Sequence, residues 1–488
     1  MEKANRSRIF VAALGFSLTW IFLQPSTLPW PEQLGVGGFS DTWYGILLGA
    51  FIALSIVVIA GRRYVERFIE GHRVILFVLM MLSLAGFALL QSAGSFGSAE
   101  LIACCAASLL AVGYLAIIMA WICGIATLGG AEAGLVVVLS VVLHVLIRSV
   151  FIAMGDVLFA IDSFGPAVSG VLWLVFRALG DGDPDRLEVD SVESGRSIEY
   201  GIGVFRDPAF AMVGAYVLCI ICGRVTMGVY FNTLGHPSAD TLLVRNALVG
   251  LLGLLYLFVW RRRPDDERLS LVAWIPPTVM LLFGQIAILA LGAEQSPLSS
   301  AAITGALMCL EAISLIMLFR LAYRKRASAV LVVGSGFLVA RLIPLGIQRS
   351  LALQLISFFP VPSSSLVFVV ITAVMVIIIG VFVVVFRFAI TSGSDVRVFA
   401  QKDAVGRSGE PARPSREEIV LSIGRGAGLT PREIEIMGLV IEGNSQKRIS
   451  EKLTLSYGTV QWYMKAIYRK LDIHSKQDLV DLVQERLG

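Results

Sequence analysis

The chain has 488 residues, of which 56% are apolar and only 16% carry a charge. In soluble proteins about 25% of residues are charged, so this composition excludes an ordinary water-soluble protein and indicates a membrane protein. The net charge of +4 is too small to indicate nucleic-acid binding by itself, so the positions of the basic residues matter more than their number.

Twelve apolar stretches are long enough to cross a membrane, which takes about 20 mainly apolar residues for about 30 Å of hydrocarbon. The predicted spans cover residues 9–23, 44–60, 74–91, 101–127, 134–155, 157–178, 209–231, 241–260, 269–292, 299–321, 328–346 and 364–390. No cleavage site for a signal peptide follows the first stretch, so we interpret it as a retained anchor.

The loops between the predicted spans alternate in basic content. The N-terminal segment and every second loop contain the following basic residues: Lys3, Arg6, Arg8, Arg62, Arg63, Arg67, Arg73, Arg177, Arg186, Arg196, Arg206, Arg261, Arg262, Arg263, Arg268, Arg320, Arg324, Lys325 and Arg326. The other loops contain only Arg349. Because cytoplasmic loops retain lysine and arginine, this pattern predicts that both termini are cytoplasmic.

The acidic, glycine-rich loop 179–208 divides the membrane domain, residues 1–390, into halves of about 1–178 and 209–390. This six-plus-six arrangement resembles the major facilitator superfamily, in which two related bundles enclose a substrate site near the membrane midplane. The loop after the second span, GRRYVERFIEGHR, has the Gly and Arg of that family's signature but lacks its Asp. The resemblance therefore implies an all-α, twelve-helix bundle without implying coupled transport.

The ionisable residues inside the predicted spans include the following seven: His144, Arg148, Asp162, Arg224, Arg245, Glu311 and Arg341. Ionisable residues are costly in hydrocarbon and usually face a bundle interior or a wet cavity. Four arginines against two carboxylates leave a positive balance, and guanidinium groups grip carboxylate or phosphate bidentately. We predict that all seven except Arg245, which lies near a span end and can snorkel, line a site for an anionic small molecule. The alternative is ion pairs with a purely structural role.

The six cysteines all lie in apolar stretches and not in polar loops: Cys104, Cys105, Cys123, Cys219, Cys222 and Cys309. Cys219 and Cys222 form a CxxC pattern, but no second pair of ligands stands at zinc spacing. We therefore predict no disulfide, metal site or cofactor.

The composition changes after the last span. Residues 391–428 are polar and contain Gly, Ser and Pro, which predicts a flexible linker. Residues 429–488 are patterned again, and about 60 residues suffice for a small helical domain but not for a large enzyme core.

Four helices are predicted in this last domain. Thr430, Pro431 and Glu433 give the first helix a capping box and a preset first turn, and it ends near Gly443. Ser445 caps a second helix over 446–453, a tight connection leads to a third over 457–471, and Ser475 caps a fourth that ends near residue 486. Two short helices joined by a tight turn, the second longer and basic, have the form of a DNA-reading helix-turn-helix.

The segment LTPREIEIMGLVIEGNSQKRISEKLTLSYGTVQWYMKAIYRKLDIHSKQDLV closely resembles the LuxR-type DNA-binding domain. The resemblance implies that Gln461, Trp462 and Lys465 face bases, that Thr459, Arg469 and Lys470 contact phosphates, and that the fourth helix supports a homodimer on promoter DNA. It also implies a bacterial cell, and hence the inner membrane. Two alternatives are that Trp462 packs in the core or at a dimer contact, and that the domain is a protein-docking module.

No P-loop, nucleophile elbow, HExxH motif or phosphoacceptor domain is present in the soluble segments, so we predict that the protein is not an enzyme. The leading hypothesis is a one-component regulator in the bilayer that senses a small molecule and binds double-stranded promoter DNA. The alternative is a transporter of the major facilitator type with a regulatory tail.

Overall fold

The protein, in its computed structural model, divides into two compact units, Met1–Ala389 and Ile390–Gly488. The structure describes residues 2–20, 40–92, 99–154, 158–180, 208–234, 238–262, 273–291, 297–358, 368–380, 420, 423, 427, 429–441, 444–453, 457–473 and 475–485. The regular elements of these residues are all helices. The predicted loop 179–208 and linker 391–428 lie almost entirely outside the described residues.

The first unit begins with helices α1 (Glu2–Thr19), α2 (Ser40–Ala60), α3 (Arg62–Gly71), α4 (Arg73–Ser92), α5 (Ala99–Ala126), α6 (Gly130–Ala153) and α7 (Leu158–Gly180). It continues with α8 (Pro208–Leu234), α9 (Ala239–Arg262), α10 (Ile275–Leu291) and α11 (Pro297–Lys325). Helix α12 comprises the consecutive segments Val330–Gly334, Ser335–Phe337, Leu338–Leu342 and Ile343–Phe358, and α13 is Phe368–Gly380.

Each of the twelve predicted spans overlaps one of these helices, and the amphipathic helix α3 was not predicted. Eight helices in the described part are long and apolar enough to cross a membrane: α2, α4, α5, α6, α8, α9, α11 and α12. The apolar stretches of α7, α10 and α13 are shorter, and α1 is not among these candidates. The chain thus has the apolar helices of a membrane protein, while the twelve-span count and the six-plus-six arrangement remain predictions.

Helix packing places α11 at the centre of the first unit. Helix α11 contacts α6, α8, α9 and α10, and 94% of its most apolar window is buried. Helix α12 packs against α2, α5 and α8, while α1 packs against α6 and α7. The residues of α11 and α12 are therefore surrounded by protein on most sides.

Indole groups connect the helices of the first half through hydrogen bonds. Trp20 donates to the hydroxyl of Ser140 at 3.0 Å. Trp121 donates to the hydroxyl of Ser169 at 2.9 Å, and that hydroxyl donates to the carbonyl of Gly15 at 2.8 Å. Because apolar surface gives little preference among partners inside a membrane, such polar contacts help to fix which helices are neighbours.

Glycine allows helices α4 and α5 to approach closely. A methyl group at Gly113 would lie 2.4 Å from the backbone nitrogen of Ser83. We expect Gly113→Ala to lower the free energy of unfolding by about 1–3 kcal/mol, because the backbone of α4 cannot yield as a flexible side chain would. Gly49→Ala is the matched control, since nothing lies within 4 Å of its added methyl. Thermal melting of the purified protein in one detergent compares them, and equal melting temperatures would contradict the prediction.

The start of α12 is held by a carboxylate from the unpredicted helix α3. Glu66 accepts hydrogen bonds from the Ser328 hydroxyl at 2.6 Å and the Val330 amide at 3.2 Å, and the Ser328 hydroxyl accepts from the Leu331 amide at 3.1 Å. A carboxylate at a helix N-terminus is favourable because the amides there lack helical partners. Glu66 therefore links helix α3 to the start of α12.

The second unit contains α14 (Pro431–Ile441), α15 (Gln446–Leu453), α16 (Tyr457–Leu471) and α17 (Lys476–Glu485). Helices α14 and α15 both pack on α16, and α14 also contacts α17. The core includes Ile436, Ile449, Val460 and Ile467, all fully buried. These four helices lie where the sequence predicted them.

Two residues of the predicted flexible linker contribute to that core. Val420 is 7% exposed and Ile423 is 5% exposed, and both pack with the helices of the second unit. Burying these apolar side chains is favourable, because it removes their surface from water. Val420 and Ile423, which precede the predicted boundary at residue 429, therefore belong to the core of the second unit.

Candidate functional site

Two arginines share one carboxylate inside the first unit, Met1–Ala389. Glu311 of α11 binds Arg224 of α8 with 2.5 Å between Oε1 and Nη2, and Arg341 of α12 with 3.0 Å between Oε2 and Nη1. The three side chains are at most 12% exposed. The Arg341 guanidinium also lies 4.8 Å from the centre of the Trp20 ring and donates to the Trp20 carbonyl at 3.4 Å. Each carboxylate oxygen of Glu311 therefore pairs with an arginine from a different helix.

A second group of polar residues joins α6 to α9. Arg245 donates from Nε and Nη2 to the side-chain oxygen of Asn246, at 3.2 and 2.8 Å. Asn246 in turn donates to the hydroxyl of Ser149 at 3.0 Å. Arg148, the neighbour of Ser149, is 3% exposed, and its positive charge acts on Arg245. These contacts keep two like charges close together inside the bundle.

His144 lies between the two groups. It precedes Arg148 by about one helical turn and is 1% exposed. Arg245 and Arg148 of the second group and Arg341 of the first all act electrostatically on its ring. Among the described residues neither ring nitrogen has a partner within ordinary hydrogen-bonding geometry, although the backbone of Ser17 lies close enough for a weak hydrogen bond. Buried polar groups usually have a partner, so this imidazole has unused hydrogen-bonding capacity.

The structure brings five of the six predicted ligand-site residues into one buried cluster: His144, Arg148, Arg224, Glu311 and Arg341. The side chain of the sixth, Asp162, lies outside the described residues. Arg245, which the sequence allowed to snorkel to headgroups, is 3% exposed and belongs to the cluster. Among the described members of the cluster, four arginines outnumber the carboxylate of Glu311, and this positive balance suits an anion.

Several polar members of the cluster were not predicted, namely Trp20, Tyr44, Ser149 and Asn246. Tyr44 is 7% exposed and lies within electrostatic reach of Arg224 and Arg341. Ser149 and Asn246 each stand next to an arginine in the sequence, and that adjacency is a signal that was available. Nothing in the sequence indicated Trp20 or Tyr44. Among the described residues no group of His, Cys, Asp and Glu is arranged to hold a metal ion.

Hydrogen bonds at the helix starts of the second unit confirm the predicted capping boxes. The Thr430 amide donates to Glu433 at 2.6 Å, and the Glu433 amide donates to the Thr430 hydroxyl at 3.3 Å. Ser475 and Asp478 form the same reciprocal pair, at 2.9 and 3.1 Å. The Ser445 hydroxyl accepts from an amide in the first turn of α15 at 3.3 Å. These caps fix where α14, α15 and α17 begin.

Helix α16 presents one exposed polar face. Gln461, Lys465 and Arg469 are exposed and follow one another at a spacing of four residues, which puts them on the same side of the helix. Trp462 is 63% exposed and its ring meets that of Tyr463 edge-on, with centroids 5.2 Å apart. This exposure excludes the alternative that Trp462 packs in the core. Thr459 is partly buried on the same turn as Gln461.

Lys470, a predicted phosphate contact, also has a contact inside the unit. Its ammonium lies 2.7 Å from the Glu433 carboxylate and so ties the end of α16 to the start of α14. Burial raises the pKa of Glu433, but the hydrogen bonds from Lys470 and Thr430 outweigh it, and the pKa is lowered from its usual value. The carboxylate therefore stabilises the folded unit in its charged form.

We expect Glu433→Gln to lower the free energy of opening of the second unit by about 1–3 kcal/mol at pH 7. The reason is that the Lys470 ammonium and the amide and hydroxyl of Thr430 lose a charged acceptor. A group with a lowered folded pKa stabilises fully above its unfolded pKa, about 4.3, and loses its effect as pH falls through the folded pKa. The difference in opening free energy between the wild type and Glu433→Gln should thus shrink below about pH 4. Hydrogen exchange of the α14 and α16 amides in the full chain measures it, and a difference independent of pH would refute this role.

Comparison with known proteins concerns the second unit. Residues 427–483 match the model of the GerE family, described as bacterial regulatory proteins of the luxR family. A comparison with curated proteins found no match. The matched residues include all of α14, α15 and α16 and most of α17. The C-terminal unit therefore contains a LuxR-family helix-turn-helix domain, a module of DNA-binding transcription regulators.

Proposed function

We propose that the protein is a one-component transcription regulator that senses a small anion through its membrane unit and binds promoter DNA through its LuxR-family domain. The observation that carries this proposal is one chain with a buried, arginine-rich cluster among apolar helices and an exposed basic helix in a LuxR-family domain. The sequence has no phosphoacceptor domain between the two units, which favours direct sensing by the same chain.

The ligand of this proposal is a carboxylate or phosphate. Such an anion would compete with Glu311 for Arg224 and Arg341, and it would accept hydrogen bonds from fork-shaped donors that suit its geometry. His144 offers a further hydrogen-bonding group at the same place. The proposed ligand site comprises His144, Arg148, Asp162, Arg224, Glu311 and Arg341, together with Arg245.

Helix α12 is the element best placed to transmit ligand binding. Arg341 lies in the segment Leu338–Leu342, one of two π-helical segments of α12, and such segments often mark functional sites. The start of the same helix is held by Glu66. Exchange of Glu311 for a ligand at Arg341 would change the forces on α12 and hence on helix α3, which carries Glu66. A ligand drives such a change only if it binds one state more tightly, by about 1.4 kcal/mol for each tenfold shift.

At the DNA, Gln461, Trp462 and Lys465 face bases, and Thr459, Arg469 and Lys470 contact phosphates in this proposal. A single LuxR-family domain binds DNA weakly. A homodimer therefore places two such domains on half-sites about 34 Å apart, which is one turn of DNA. The membrane unit has twelve spans in two halves, lies in the bacterial inner membrane and keeps both termini in the cytoplasm. The orientation can be tested with a cysteine that is introduced after Ile390. If a membrane-impermeant thiol reagent in the medium labels this cysteine in intact cells, the orientation is wrong.

The test is a promoter reporter in cells that express the full chain, with carboxylates and phosphate esters supplied in turn. We expect one class of anion to change expression, and Arg148→Gln to abolish the response without changing protein amount in the membrane. A matched control is Glu132→Gln on the same helix, outside the cluster. A normal response from the Arg148, Arg224 and Arg341 variants together would eliminate the ligand site.

A transporter with a regulatory tail is the second candidate, and a buried polar cluster between the predicted halves is the feature that favours it. Saturable uptake of the anion by proteoliposomes would favour the transporter, whereas promoter control without flux favours the sensor. Lack of salt-dependent DNA binding by the purified protein would leave the tail as a protein-docking module.

A further inference from the structure

Four helices of the membrane unit enclose a cavity that is separate from the charged cluster. Its volume is about 210 Å³, and its walls come from α6, α9, α10 and α11. Val141, Gly253, Cys309 and Ile313 are among the lining residues, and the lining is almost wholly apolar. An apolar cavity of about 150 Å³ already stays dry and takes up a benzene ring, so this larger one favours a hydrocarbon occupant.

The cavity opens on the outer surface of the bundle between α9 and α10. Leu255, which lines it, is 53% exposed, and Pro276, also in the lining, is exposed. Nearby surface residues are apolar as well, with Leu251 66% exposed and Ile275 42% exposed. In a membrane such a surface meets acyl chains. A water-soluble ligand would need convergent polar groups to fix its orientation, and this lining does not offer them.

One end of the cavity leads to a cation held on an indole ring. Val259 and Ile316 line the cavity, Trp260 follows Val259, and Arg320 lies four residues, about 6 Å, beyond Ile316 on α11. The Arg320 guanidinium lies 4.6 Å from the centre of the Trp260 ring. Tryptophan is enriched at the membrane interface, and long arginine side chains extend from apolar surface to the headgroups. Arg320 therefore stands at headgroup depth when the cavity lies in hydrocarbon.

We propose that this cavity binds an acyl chain of an anionic phospholipid whose phosphate contacts Arg320. The apolar walls suit the chain, and the cation at the end of the cavity suits the charge of the headgroup. The site lies on α11, where Cys309, Ala312 and Ile313 face the cavity and Glu311 faces the arginines. The composition of the bilayer thus acts on the helix that carries the shared carboxylate. The inference is independent of the sensed anion.

The experiment uses the full-length protein in nanodiscs that contain phosphatidylglycerol or phosphatidylcholine with the same diazirine-bearing acyl chain. After illumination, mass spectrometry maps the crosslinked residues. We expect labels to concentrate on the cavity residues of α9 and α11, with about fivefold more labelling by phosphatidylglycerol, the factor that one basic residue near an anionic headgroup provides. Equal labelling of all lipid-facing residues of α9 and α10 in the unchanged protein would overturn the proposal.

Two variants separate the chain from the headgroup. Ala312→Phe fills the cavity and should abolish the label there, whereas Ala290→Phe, on the exposed face of α10 outside the lining, should leave it unchanged. Arg320→Gln should make labelling by the two lipids equal. A cavity label that persists in Ala312→Phe refutes the chain site, and a preference for phosphatidylglycerol that persists in Arg320→Gln refutes the phosphate contact.

Discussion

Replacing Trp462 or Lys465 by Ala should weaken the binding of the preferred DNA duplex by about 5- to 150-fold, corresponding to about 1–3 kcal/mol for a specific base contact. Trp462 is 63% exposed although tryptophan is a large apolar residue, and Lys465 is exposed on the same helix. Neither side chain supports the core, so both substitutions should change the stability of the second unit by no more than about 0.5 kcal/mol. The loss would therefore report on recognition and not on folding.

The measurement is fluorescence anisotropy with duplexes first selected from a random library by the purified full-length protein. Glu435→Gln on α14, also an exposed residue but outside α16 and the proposed dimer helix α17, is the control and should keep nearly the wild-type affinity. Arg469→Ala should behave differently, with uniform weakening across sequences and a salt dependence reduced by about one unit of slope. Normal affinity of both Trp462→Ala and Lys465→Ala would show that α16 does not read the bases.

The second large effect is expected from Glu311→Gln in the membrane unit. Within the described part of the chain Glu311 bridges Arg224 and Arg341, and its side chain is 3% exposed. Removing one member of a buried ion pair costs about 3–5 kcal/mol, because the remaining charge stays buried without its partner. The variant should therefore melt at a much lower temperature in detergent than the wild type.

The double variant Glu311→Gln with Arg341→Gln distinguishes this explanation from simple loss of packing. If charge imbalance causes the instability, the second substitution should restore part of the lost free energy, since two like charges become one. Glu132→Gln is the control, because this carboxylate lies in the first turn of α6, away from Glu311 and its two arginines. Additive losses in the double variant would rule out the charge explanation.

Local signals in the sequence predicted the second unit accurately. Thr430 with Glu433 and Ser475 with Asp478 form the predicted capping boxes, and α15 and α16 have the predicted bounds. Helix caps depend on side chains within three residues of the helix start, so sequence alone is sufficient. The extension of the core to Val420 was missed because burial of an isolated apolar residue depends on distant partners.

In the membrane unit, the sequence located a helix in each predicted span because apolar length is a local property. It could not determine which helices are neighbours. Helix α3 was missed because it is short and charged, and its Glu66 acts on an amide 264 positions away. The same distance effect hid Trp20 from any prediction about Arg341, 321 positions along the chain.

By itself, the sequence determined that apolar helices are followed by a capped, four-helix DNA-binding domain, because hydropathy and capping are properties of neighbouring residues. Only the tertiary structure decided that Glu311 is shared by Arg224 and Arg341 and that Arg245 belongs to the same cluster. Ion pairing depends on the positions of separate helices, and the charge of an isolated span does not indicate the helix that neutralises it.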